Sequence, residues 1–72
     1  MDYITINRIL DSTGSMISDL KFIKSELGVN ENSPIEMLSD SNRLESAIEN
    51  LTKVRLNLSS LLSGRSDNNA PT

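Results

Sequence analysis

Cysteine, histidine and tryptophan are absent from this chain. Without cysteine there is no disulfide framework and no thiol nucleophile. Without histidine the commonest general base is missing, and with both gone so are the usual zinc ligand sets. Aromatic side chains are limited to Tyr3 and Phe22, so any core must be aliphatic, drawn from ten Leu, seven Ile and three Met. The three glycines are scattered and make no phosphate-cradling loop. No apolar run reaches the length of a membrane span, and Met1-Asp2-Tyr3 lacks the basic start of a signal peptide. A soluble, cytoplasmic chain is the expectation. Seven bases against ten acids give a net charge of −3, a poor match for a polyanion such as DNA or RNA.

What is present is helical periodicity over 72 residues, the length of one small domain. Leu44, Ile48, Leu51, Arg55, Leu58 and Leu62 step by four and three, the spacing of a single helical seam. Asp40 or Ser41 can cap the start, and Gly64 stands where a C-cap glycine would. Glu49 and Lys53 form a favourably oriented i,i+4 pair. The first part of the chain repeats the pattern through Ile6, Ile9, Thr13, Met16, Leu20, Ile23 and Leu27, with Gly28 as a stop. A break at Asp11 to Ser15 is an alternative there, because Gly14 costs about 1 kcal/mol relative to alanine in mid-helix. Tyr3-Ile4-Thr5-Ile6 also alternates like a strand.

These signals predict an all-α fold, an antiparallel helical hairpin that assembles into a helical bundle of coiled-coil type. The hairpin domain is expected over 1–63, with a helix at about 3–27, a connection at 28–40 and a helix at about 41–63. The polar segment from 64 to 72 is expected to be a disordered tail. Within the connection, Ser33-Pro34-Ile35-Glu36 reads as an N-cap, a proline at N1 and a capping-box glutamate. Either a short helix covers 34–39 or the second helix begins at Pro34, and the polar cluster Ser39-Asp40-Ser41-Asn42 favours a break. Folding the two seams against each other pairs Leu20 with Ile48, Met16 with Leu51, Ile9 with Leu58 and Ile6 with Leu62. Thr13 then meets Arg55, so the polar position of each seam falls in one layer.

Residues flanking the seams point to function. Leu10 and Ile17 widen the first stripe at heptad e positions, whereas Ala47, Val54 and Leu61 widen the second at g positions. In an antiparallel pair e faces e and g faces g, so this phase leaves apolar shoulders on both sides of the hairpin. Chains this small without a disulfide usually need a partner to complete a core. The expected function is a non-enzymatic protein–protein interaction module, of assembly, adaptor, chaperone-like or inhibitor type, binding another protein or itself. Its candidate interface residues are Ile6, Leu10, Ile17, Leu20, Ala47, Val54, Arg55 and Leu61. No cofactor and no small-molecule substrate are expected. A dimeric DNA-binding regulator is the alternative, although Arg8, Lys21, Lys24, Arg43, Lys53 and Arg55 are dispersed among acids.

One short motif suggests different chemistry. Asp11-Ser12-Thr13-Gly14-Ser15-Met16 resembles the metal-site motif of von Willebrand factor A domains, an Asp followed by hydroxyl residues and Gly-Ser at the start of a helix. The resemblance implies a divalent cation held by Asp11, Thr13 and Ser15. It covers six residues, and that family builds a complete α/β sheet that 72 residues cannot supply. The competing reading of the same residues is a serine-rich turn of helix.

Overall fold

The computed structural model describes the backbone of residues 2–69 and the side chains of residues 2–63. It contains two helices, α1 (Tyr3–Leu27) and α2 (Ile35–Asn69), packed antiparallel as an all-α hairpin. The strand-like alternation at Tyr3 to Ile6 yields to a cap. The Asp2 carboxylate accepts the backbone N–H of Ile4 at 3.0 Å and of Thr5 at 3.1 Å, and the Thr5 hydroxyl donates to it as well. These donors, the side-chain hydroxyl first, favour the ionised carboxyl and hold its pKa below the ordinary 3.8. Asp2 thus enters α1 as a charged N-cap, placed where the helix dipole favours an anion.

α1 does not break at Asp11 to Ser15. Thr13, the hydroxyl residue most able to disrupt the ladder, donates back to the carbonyls of Ile9 at 2.8 Å and Leu10 at 3.1 Å, so it is satisfied while buried. Gly28 ends α1 as expected. It adopts the left-handed region at φ 58° and donates its N–H to the Ser25 carbonyl at 3.1 Å.

The connection is shorter than the sequence suggests, and α2 is longer at both ends. Ser33 does not form the capping box; its hydroxyl accepts from the Asn30 N–H at 2.9 Å and closes the turn. Asn30 tightens the same turn by accepting from the Asn32 N–H at 2.8 Å. The Pro34 carbonyl instead receives the first helical bonds, from Met37 at 3.0 Å and Leu38 at 3.1 Å. α2 then runs through Ser39-Asp40-Ser41-Asn42 without a break. Each of these residues disfavours helix by only a few tenths of a kcal/mol, and Met37, Ser41 and Leu44 are half-buried against the partner helix, which decides the matter. Nor does α2 stop at Gly64: the backbone stays helical to Asn69, because one glycine costs about 1 kcal/mol and no proline follows until Pro71. The rest of the expected tail, residues 70–72, lies outside the described residues.

The glycine within α1 and the glycine that caps it carry opposite consequences. A Cβ at Gly14 would lie 3.5 Å from the Arg55 Nη2, an ordinary contact, and Gly14 sits in regular helix. Gly14→Ala should raise stability by about 0.5–1 kcal/mol. A Cβ at Gly28 meets no atom within 4 Å, yet the backbone is left-handed there, so Gly28→Ala should lower stability by about 1 kcal/mol. Urea melts of the two variants should move in opposite directions; movement in the same direction would refute this account of α1 and its cap.

The antiparallel register holds. Lys24 Nζ lies 3.3 Å from Glu45 Oε2, Arg55 Nε donates to the Leu10 carbonyl at 3.3 Å, and the Arg55 guanidinium rests over Gly14. The polar layer at Thr13 and Arg55 therefore forms, although Arg55 finds a carbonyl and a glycine rather than an acid. The phase of α1 differs from the reading above. Its inward residues are Ile6, Leu10, Thr13, Ile17, Leu20, Lys24 and Leu27, all buried or half-buried. Counting 3.6 residues per turn, α1 is turned by about 40° from the expected seam. The turn sets Gly14 beside Arg55, giving the guanidinium a surface without side-chain bulk to lie on.

Candidate interaction surface

Heptad positions follow from the observed seams. In α1, Ile6, Thr13, Leu20 and Leu27 take d, and Leu10, Ile17 and Lys24 take a. In α2, Met37, Leu44, Leu51 and Leu58 take d, and Ser41, Ile48, Arg55 and Leu62 take a. Position g of α1 is then held by Ile9, Met16 and Ile23, and position g of α2 by Ala47, Val54 and Leu61. In an antiparallel pair these rows border the same side of the seam. The hairpin consequently has one apolar flank, not two apolar shoulders on opposite sides.

Exposure agrees with this geometry. Ile9, Met16 and Ile23 are 39%, 50% and 48% exposed, and Val54 and Leu61 are 41% and 42% exposed, while Ala47 is half-buried. In the observed register Ile9 lies level with Leu61, Met16 with Val54, and Ile23 with Ala47. These are three apolar rungs seven residues apart, about 10.5 Å from one to the next. The opposite flank, at the e positions, carries Asn7, Gly14 and Lys21 from α1 and Leu38, Glu45, Thr52 and Ser59 from α2. It is closed by the Lys24–Glu45 ion pair and by Arg55 over Gly14.

The expected interface residues divide between the seam and the flank. Ala47, Val54 and Leu61 stand on the apolar flank. Ile6 is buried in the hairpin's own core, and Leu10, Ile17 and Leu20 are half-buried in the seam. Arg55 is exposed but spans the seam to α1. Sequence reasoning missed Ile9, Met16 and Ile23 as surface residues by placing them in the core. Their seven-residue spacing matches that of Ala47, Val54 and Leu61, but Leu10, Ile17 and Lys24 share it, so spacing alone does not single them out.

The metal alternative does not assemble. On a continuous α1, Asp11 and Ser15 share an exposed face, and Thr13 points the other way into the seam. No group of three acidic, histidine or cysteine residues is placed to hold an ion among the described residues. The bases also form no row: Arg8 and Lys53 take f positions, Lys21 an e, Arg43 a c, and Lys24 and Arg55 lie in the seam. An open groove of about 500 Å³ lies at the turn end, edged by Lys21, Lys24, Ser25, Ser41 and Glu45. Lys24 is already engaged by Glu45 there, and the C-terminal carbonyls of α1 face the same end, so an anion finds little net attraction. Among the described residues, no helix is long and apolar enough to cross a membrane.

No family model, no curated protein and no solved structure matches this chain.

Proposed function

We propose that this chain is a small, non-enzymatic interaction module that works by docking the apolar flank of its hairpin onto a protein surface. The observation that carries the reading is the convergence of Ile9, Met16 and Ile23 with Val54 and Leu61 on one side, all of them about 40–50% exposed. Apolar side chains scattered singly over a surface need no explanation, but a contiguous row of this kind usually marks an interaction site. Ile4, Phe22, Ile35 and Leu56, also exposed, point elsewhere and singly. The missing histidine and cysteine leave the chain without the commonest catalytic groups, which agrees with a role in assembly, adaptation or inhibition rather than chemistry.

The test uses a tagged full-length chain expressed in its native host, cross-linked and recovered. Met16→Glu combined with Val54→Glu should abolish recovery of the bound protein, because it sets two charges on the middle rung. Lys21→Ala, on the opposite flank, should leave recovery unchanged. Identical sets of bound proteins for all three chains would overturn the assignment of this flank.

A further inference from the structure

We infer that the occupant of the apolar flank is a second copy of this chain, laid antiparallel so that the turn of one hairpin covers the open end of the other. The inference rests on the reading of that flank as a docking surface, and adds to it the partner and the geometry.

Thickness comes first. Among the described residues the fold is two helices side by side, a single layer. A single layer of two helices cannot enclose a core, and stable domains are built from two packed layers. A second hairpin supplies the missing layer and yields a four-helix bundle.

The rungs are arranged for self-pairing. Because they are evenly spaced, a two-fold axis through the Met16 and Val54 rung superposes the outer rungs on each other. In the antiparallel arrangement Met16 meets Met16 of the second copy and Val54 meets Val54. Ile9 lies against Ile23, and the large Leu61 falls opposite the small Ala47. Such a closed, isologous contact satisfies both copies at once.

Charge selects the direction. Residues 17–50, the turn half, hold seven acids and three bases, net −4. Residues 2–16 and 51–63, the open half, hold three bases and two acids, net +1. Packing turn against turn would put −4 against −4 within a few ångströms of the Debye length. Packing turn against open end opposes −4 to +1 twice. Electrostatics of this kind fixes orientation more than affinity.

Sedimentation equilibrium of the full chain at micromolar concentration, together with single-cysteine variants, tests the inference. The chain contains no native cysteine, so each introduced thiol reports one position. The expected mass is twice 7.9 kDa, with a melting temperature that rises with protein concentration. Under mild oxidation Val54→Cys should cross-link to itself, and so should Met16→Cys. Cross-links that form only between a Met16→Cys chain and a Val54→Cys chain would overturn the antiparallel arrangement, since that pairing belongs to the turn-to-turn dimer. A folded monomer at every concentration would overturn the second copy altogether. In that event, recovery of a host protein that Met16→Glu with Val54→Glu abolishes would leave the docking flank standing, and its insensitivity to those changes would remove both.

Discussion

Replacing Ile48 with alanine should remove most of the hairpin's stability. Ile48 and Ile6 are the two buried apolar side chains among the described residues, and no side chain is buried completely. Removing three carbons from such a site costs about 2–3 kcal/mol, the lower part of the usual range because the site is enclosed on one side. A domain of this size without a disulfide or metal rarely has more than about 3–5 kcal/mol from its core. The expected observation is therefore a large downward shift of the melting transition followed by helical circular dichroism, offset in part at high protein concentration. Phe22→Ala serves as the contrast. Phe22 on α1 is 65% exposed, and its removal should change stability by no more than about 0.5 kcal/mol. Equal effects from the two substitutions would mean that the seam does not hold the hairpin together.

Arg55 should respond in opposite directions to two substitutions. It occupies an a position in a seam otherwise made of Leu, Ile, Met and Ser41, and its guanidinium lies over Gly14 with Nε donating to the Leu10 carbonyl. That carbonyl already accepts from the Thr13 hydroxyl, so the extra bond satisfies no orphaned group and contributes little. Arg55→Leu replaces an exposed cation with a side chain that can enter the seam, and should raise stability by about 1–2 kcal/mol on the burial scale. Arg55→Ala removes the aliphatic stem that packs across the seam and should lower stability by about 1 kcal/mol. Denaturant melts separate the two, and negligible shifts in both would show that Arg55 contributes nothing at the interface. The leucine variant should also lose some specificity of pairing. A charged position in an apolar seam discourages helices from slipping by a heptad, and in the observed register the guanidinium lies over Gly14.

The pairing of Ile9 with Leu58 and of Met16 with Leu51 was not borne out, because Ile9 and Met16 stand outside the seam. Two helices, their antiparallel packing and the common level of Thr13 and Arg55 were legible in the sequence. Those features depend on local rules: four-and-three spacing of leucine and isoleucine, a glycine able to adopt φ 58° after Leu27, and the alignment of Thr13 with Arg55. Element boundaries were less legible. Ser39-Asp40-Ser41-Asn42 has the composition of a turn, but half-burial of Met37, Ser41 and Leu44 outweighs propensities worth tenths of a kcal/mol. Asp2 had the right type and spacing for a cap and was obscured by the β-branched run behind it.

The rotation of α1 about its own axis comes from the packing of the two helices and not from local spacing. The apolar stripe of α1 is wide, and both Ile9 with Met16 and Leu10 with Ile17 are hydrophobic enough to face inward. Periodicity alone cannot choose between two adjacent phases of such a stripe. The choice falls to packing against the partner helix, where Arg55 lies over Gly14 and Lys24 pairs with Glu45. A rotation of about 40°, less than half the angle between successive residues, carries Leu10 and Ile17 into the seam. The same movement carries Ile9, Met16 and Ile23 out beside Ala47, Val54 and Leu61, and turns two expected shoulders into one continuous apolar flank.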